Sequence, residues 1–137
     1  MQVDDIPLMS MLKDRMSWLS KRQELLATNV ASADLPGYTP RDLKPMDFEQ
    51  TLRSSNAQNN AAGGLMTTNA RHIASTPTHG AFEAQETHDV AATPNGNSVS
   101  LEQQMIKVAD TQSQYQAATN IYAKTIGMMK TAIGRGG

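Results

Sequence analysis

Apolar positions crowd into the two ends of the chain and thin out between them. Near the N-terminus Met9, Leu12, Met16, Leu19, Gln23, Leu26 and Val30 follow one another at alternating steps of three and four. This is a heptad seam in which only Gln23 is polar. The spacing predicts a helix from about residue 7 to about residue 32, nearly 40 Å long at ~1.5 Å per residue. Asp4 or Asp5 can cap its start, and Pro7 suits a first helical turn. Lys13, Asp14, Arg15, Lys21, Arg22 and Glu24 supply the opposite, charged face. The C-terminal stretch repeats the pattern through Leu101, Met105, Val108, Gln112, Tyr115, Thr119, Tyr122, Ile126, Met129 and Ile133. Ser98 or Ser100 offers an N-cap with Glu102 and Gln103 behind it, and Gly134, Gly136 and Gly137 close a helix over roughly residues 99–133.

Residues 34–98 read differently. LPGYTPRDLKP is rich in proline and must be extended or turning. MDFEQTLRSS is a short helix or strand, SSNAQNNAAGG a flexible loop near residues 54–64, and TPNGNS a turn. Leu65, Ile73, Phe82 and Val90 mark at best a few weak strands. The expected fold is mainly α, with long N- and C-terminal helices pairing as an antiparallel coiled coil. An irregular, weakly β, polar middle module joins them. Residues 1–33 plus 99–137 would form the coiled-coil inner domain and residues 34–98 the projecting module. If Val30 lies near Leu101, Gln23 and Gln112 fall within about one layer of each other, either as a register-fixing polar pair or each facing solvent.

Such a pair does not bury its own seams, and Met11, Trp18, Leu25, Ile106 and Ile121 lie off them. Further copies packed side by side would supply the cover. Met9, Met16, Met105 and Met129 fill seam positions, either as plain core or as adaptable faces toward non-identical neighbours. The chain has 137 residues, only 4% of them aromatic, which argues against a compact single-core enzyme. Segment charges are zero for residues 1–33, −3 for 34–98 and +2 for 99–137, giving −1 overall. Neither nucleic acid nor an anionic membrane is an evident partner of such a chain. The absence of cysteine removes disulfides, thiolate catalysis and Cys-ligated zinc. No run of ~18 apolar residues is present, and MQVDDIPLMS has no basic n-region of a Sec-type signal.

Candidate chemistry is sparse. His72, His79 and His88, with Glu83, Glu86 and Asp89 near in sequence, match no recurrent metal spacing. No GxSxG, GxGxxG, P-loop or HExxH occurs. No catalytic residue, cofactor, metal or small-molecule substrate is expected. A small hydrolase using His79 or His88 ranks far behind an assembly protein or an autonomous coiled-coil secretion adaptor.

Residues 26–42, LATNVASADLPGYTPRD, resemble the signature of the flagellar rod, hook and axial protein family. The matching positions are Asn29, Ala31, Pro36, Gly37 and Tyr38, at the end of an amphipathic helix. Gly96-Asn97-Ser98-Val99, Tyr115-Gln116-Ala117 and the run from Met128 to Gly134 are similar to the proximal rod members of that family. The resemblance implies a structural subunit of the basal-body rod in the periplasm, its ends pairing as a coiled coil that lines the export channel. It implies delivery by the flagellar type III apparatus without a cleaved signal. The implied partners are copies of itself, rod proteins of the FlgC type, the adaptor FliE, the export gate and the MS ring. A FlgC-type paralogue is the alternative within the family. Pro36 and Gly37 are expected to set the angle between helix and projecting module.

Overall fold

A computed structural model describes residues 7–47 and 82–134. Its elements run α1 (Pro7–Ala31), β1 (Arg41–Leu43), β2 (Ala84–Glu86) and α2 (Leu101–Gly134). The expected loop near 54–64, together with Leu65, Ile73, His72 and His79, lies outside the described residues.

Both helices form where the heptad spacing places them. Pro7 begins α1, where the missing N–H removes no helical bond. Its last turn tightens, with Ala33 N–H donating to the Val30 carbonyl at 3.3 Å and Ser32 N–H shared between the Thr28 and Asn29 carbonyls. At the start of α2, Ser100 Oγ accepts the Gln103 N–H at 3.4 Å. The reciprocal half of a capping box is filled from elsewhere: the Asp89 carboxylate accepts the Ser100 N–H, and the Gln103 side chain donates to the Asp89 carbonyl.

The helices pack antiparallel. Arg15 meets Gln114 at 2.6 Å, Arg22 reaches Asp110 at 3.8 Å and Asn29 meets Gln104 at 3.0 Å, so positions fall along α2 as they rise along α1. The face of α2 that enters this contact is Gln104, Thr111 and Ala118, seven residues apart. At ~100° per residue, the apolar seam of α2 lies ~60° round the helix from that face. Gln23 and Gln112 are both exposed, so the layer between the helices is not theirs. The positions that do enter α2's buried face are polar or small, which an apolar pattern does not reveal.

β1 and β2 pair antiparallel in the register Arg41↔Glu86, Asp42↔Gln85, Leu43↔Ala84. Bonds from Lys44 N–H to the Glu83 carbonyl and from Thr87 N–H to the Pro40 carbonyl extend the ladder at each end. A two-stranded ribbon this short does not stand alone in water. It is held by Trp18 and Leu19 of α1 and Ala118 of α2, which bury Leu43, with Met46, Phe82 and Ala84 packed on the outside. One hydrophobic cluster therefore draws on both ends and on the middle of the chain.

Arg15 and Arg22 leave the charged face expected of them. Their guanidinium carbons lie 5.1 and 5.4 Å from the Trp18 ring centroid. Trp18 Nε1–H donates to the Lys44 carbonyl at 3.0 Å, which satisfies the indole's single donor inside the core.

Candidate functional site: the junction of the terminal helices

Among the described residues, the densest set of polar contacts lies where α1 ends, α2 begins and the middle segment passes between them. Asn29, wholly buried, uses all four of its side-chain hydrogen-bonding sites. Nδ2 donates to the Arg41 carbonyl at 2.7 Å and to Gln104 Oε1 at 3.0 Å. Oδ1 accepts from Tyr38 Oη–H and from Arg41 N–H, both at 3.0 Å. One side chain thus ties α1 to the turn after it, to β1 and to α2.

The chain of contacts continues outward. Gln104, also fully buried, donates through Nε2 to Asp89 Oδ2 at 2.5 Å. Asp89 Oδ1 accepts from Lys107 Nζ at 2.9 Å, and the Asp89 side chain is only 2% exposed. Burial alone would raise the Asp89 carboxyl pKa. The bonds from Gln104 and Lys107, the Lys107 charge and the Ser100 N–H together outweigh it and hold that pKa below the ordinary carboxylate value. The buried Thr111 hydroxyl turns back to the Lys107 carbonyl at 2.7 Å.

A second clasp joins the two loops. Gly37 and Gly96 both have positive φ, 71° and 82°, which side chains with a Cβ adopt at a cost. Gly37 N–H donates to the Asn95 carbonyl at 3.0 Å, and Ser98 N–H to the Tyr38 carbonyl at 3.2 Å. Asn97 Nδ2 donates to the carbonyls of Ser32 at 3.1 Å and Leu35 at 2.7 Å, which ties the turns after α1 to the approach to α2. Asn97 Oδ1 accepts the Val99 N–H at 2.9 Å on the approach to α2. The TPNGNS turn expected from its residues is present, closed by a bond from Gly96 N–H to the Thr93 carbonyl.

A third contact anchors the sheet. Arg22 grips Asp42 in a two-pronged pair at 2.8 and 2.9 Å, with side chains only 16% and 11% exposed. The hydrogen bond to Asp42 raises the Arg22 pKa against the opposing effect of burial. Beside it lies a cleft of about 290 Å³ lined by Arg15, Trp18, Arg22, Asp42, Met46 and Gln114, in which Arg22 pairs with Asp42 and Arg15 donates to Gln114.

These contacts fix the shape of the junction. Among the described residues no three His, Cys, Asp or Glu side chains are placed to hold a metal, and His88 is exposed. No described helix is long and apolar enough to cross a membrane.

The expected site residues divide clearly. Of the α1 seam, Met9, Leu19 and Leu26 are fully buried, Leu12, Met16 and Val30 half-buried, and Gln23 exposed. Of the α2 seam, Val108, Tyr122 and Met129 are half-buried, while Leu101, Met105, Gln112, Tyr115, Ile126 and Ile133 are exposed. Within the motif, Asn29 is buried, Tyr38 half-buried, and Ala31, Pro36 and Gly37 exposed. The bonding roles of Gln104, Asp89, Asn97 and the Arg22–Asp42 pair are not visible in the sequence patterns. The seven-residue step from Gln104 to Thr111 to Ala118 is the one regularity that marks the buried face of α2.

Two long terminal helices are clamped antiparallel, the turn after the first is locked into the turn before the second, and an apolar stripe is left exposed, the features of a subunit built on paired terminal helices. Comparison with known proteins makes the class specific. The chain is 30% identical over 129 residues to the flagellar basal body rod protein FlgB of Proteus mirabilis, covering 90% of this chain and 91% of that protein. It is 32% identical over 115 residues to that of Escherichia coli, covering 80% and 81%. With that of Agrobacterium fabrum it shares 26% identity over 133 residues, 95% of each chain. No protein-family model matches the chain. The chain belongs to the FlgB family of flagellar basal body rod proteins.

Proposed function

We propose that the chain is a structural subunit of the proximal rod, built into the flagellar basal body by packing its terminal helices against copies of itself and related rod proteins. The observation that carries this reading is the open apolar stripe of α2. Leu101, Met105, Tyr115, Ile126 and Ile133 remain exposed beside the buried Gln104–Thr111–Ala118 face, as do Ile106, Ile121 and Met128 farther round the helix. A stripe of this length and period suits packing against another helix of similar pattern. On this reading the antiparallel clamp makes α1 and α2 the inner domain, with β1 and β2 packed on it and the Pro36–Gly37 turn setting the path from α1 into them.

On this reading the terminal helices line the export channel and carry torque along the rod. The neighbours are FlgC-type rod proteins, the adaptor FliE, the export gate and the MS ring. The chain reaches its place in the periplasm through the flagellar type III apparatus, and its role requires no catalysis. The test is deletion of the gene followed by electron microscopy of purified basal bodies. Membrane rings without a rod are expected, and complete rods and hooks would overturn the proposal.

A further inference from the structure

We propose that Asn95–Gly96 is a latent deamidation site, shielded while the helix junction is closed and reactive when the chain is open. The two residues sit in an exposed turn, within reach of water. With no Cβ on the following residue, the backbone nitrogen of an Asn-Gly pair approaches the Asn side chain with least obstruction. The Gly96 nitrogen, on losing its proton, attacks Asn95 Cγ, and the side-chain nitrogen departs as ammonia, taking up a proton. Water then opens the five-membered imide. Opening at the former side-chain carbonyl gives an ordinary aspartate. Opening at the backbone carbonyl gives isoaspartate, whose main chain runs through Cβ and Cγ and is one carbon longer.

The closed junction engages the attacking nitrogen and fixes the position of the side chain it must reach. Gly96 N–H is committed to the Thr93 carbonyl at 2.7 Å, so its proton is not free to leave. Asn95 Oδ1 accepts the Asn97 N–H at 3.1 Å and the Thr93 hydroxyl, which pins the side chain over the turn. The Asn95 carbonyl holds the Gly37 N–H at 3.0 Å. Of these partners Gly37 is the one distant in sequence, so unfolding removes it and leaves the local bonds of the turn unbraced.

The two products have different fates. The aspartate product keeps the backbone length and an oxygen able to accept from Asn97 N–H, so it still forms the turn. Isoaspartate inserts a carbon beside the closest approach of the two loops, where a Cβ on Gly96 would already meet Gly37 Cα at 3.2 Å. It also displaces the carbonyl that receives Gly37. Conversion to isoaspartate therefore leaves a chain that cannot close its junction.

The experiment incubates the full chain in native buffer and in urea beside a synthetic peptide of residues 90–100, and follows Asn95 by peptide mass spectrometry. The native protein is expected to convert at least ~10-fold more slowly than the peptide, since reaction requires local opening, and the urea sample at the peptide's rate. Equal rates in native protein and peptide would overturn the shielding. The aged urea sample is then refolded by dilution. Chains that retain Asn95 or carry the aspartate product should partition into the compact fraction, and chains with isoaspartate into the remainder. An even distribution would overturn the second step. The Asn95→Asp variant should refold like the parent chain, and its failure to do so would overturn the distinction between the two products.

Discussion

A Cβ placed on Gly96 would lie 3.2 Å from Gly37 Cα and 3.4 Å from Gly37 N, whereas one placed on Gly37 would meet nothing within 4 Å. The two glycines share a left-handed backbone but not a steric environment. Gly37→Ala is expected to cost the backbone preference alone, about 1–2 kcal/mol. Gly96→Ala adds backbone against backbone and should cost more, a ranking that urea denaturation of the two variants will read.

The same turn bears on assembly. A β-branched residue is poorly accommodated at positive φ, so Gly37→Val should tilt the path from α1 to β1. The variant is expected to be secreted but to leave cells non-motile and their basal bodies without rods. Normal swimming by these cells would remove Gly37 from any role in setting the angle.

Asn29→Ala would orphan the Arg41 N–H and carbonyl and remove partners from Tyr38 and Gln104 together. A loss of about 2–4 kcal/mol is expected, larger than for an ordinary single hydrogen bond. A double-mutant cycle with Gln104→Ala should give a coupling of at least ~0.5 kcal/mol, as contacting residues in one network do.

Asp89 has a folded pKa lowered below its unfolded value, so its ionised form stabilises the fold. That contribution is fully present above about pH 4, the unfolded carboxylate range, and is lost as pH falls from there through the lower folded value. Asp89→Asn should weaken the protein at neutral pH and flatten the acid limb of its stability curve. An acid limb unchanged by the substitution would show that other carboxylates control it.

Trp18 is the only tryptophan, and it is 5% exposed. Its fluorescence should shift to the red and become accessible to acrylamide as the junction opens, giving one probe for the variants above. Trp18→Ala should cost about 3–5 kcal/mol through the cavity it leaves among Leu19, Leu43 and Ala118. Trp18→Phe keeps most of the packing but strands the Lys44 carbonyl, for about 1–3 kcal/mol.

Met105→Glu and Ile126→Glu test the open stripe. Both side chains are exposed in the single chain, so unfolding stability should change by no more than about 0.5 kcal/mol. Rod assembly should nevertheless fail, because a carboxylate would be buried unpaired between helices. Assembly of normal rods from the double variant would show that this stripe faces no neighbour.

Much of the architecture was legible in the residues because period and punctuation are local. The seam from Met9 to Val30 and the Ser100 cap placed both helices within two residues of their observed ends at the described boundaries. The junction was only half legible. Asn29, Gly37 and Tyr38 stood out through a resemblance, but their partners Gln104, Asp89 and Asn97 are common polar residues whose role depends on who sits opposite. Arg22 looked like a solvated charge until Asp42, 20 positions away, was brought beside it by the fold. The buried stripe of α2 escaped because its members are a glutamine, a threonine and an alanine, not the bulky residues that a hydrophobic count finds.

The spacing of the clamp has a consequence for the order of events. Arg15 and Gln114 are 99 positions apart, Asn29 and Gln104 are 75, and Trp18 shares its core with Ala118. Contacts this distant in sequence are slow to form and bring no stability until the whole intervening loop is closed. A chain threaded from its N-terminus through a narrow passage would therefore stay pliant until its final third had emerged. The locking step belongs to the last helix, so a truncated or stalled copy lacks the means to set itself in place.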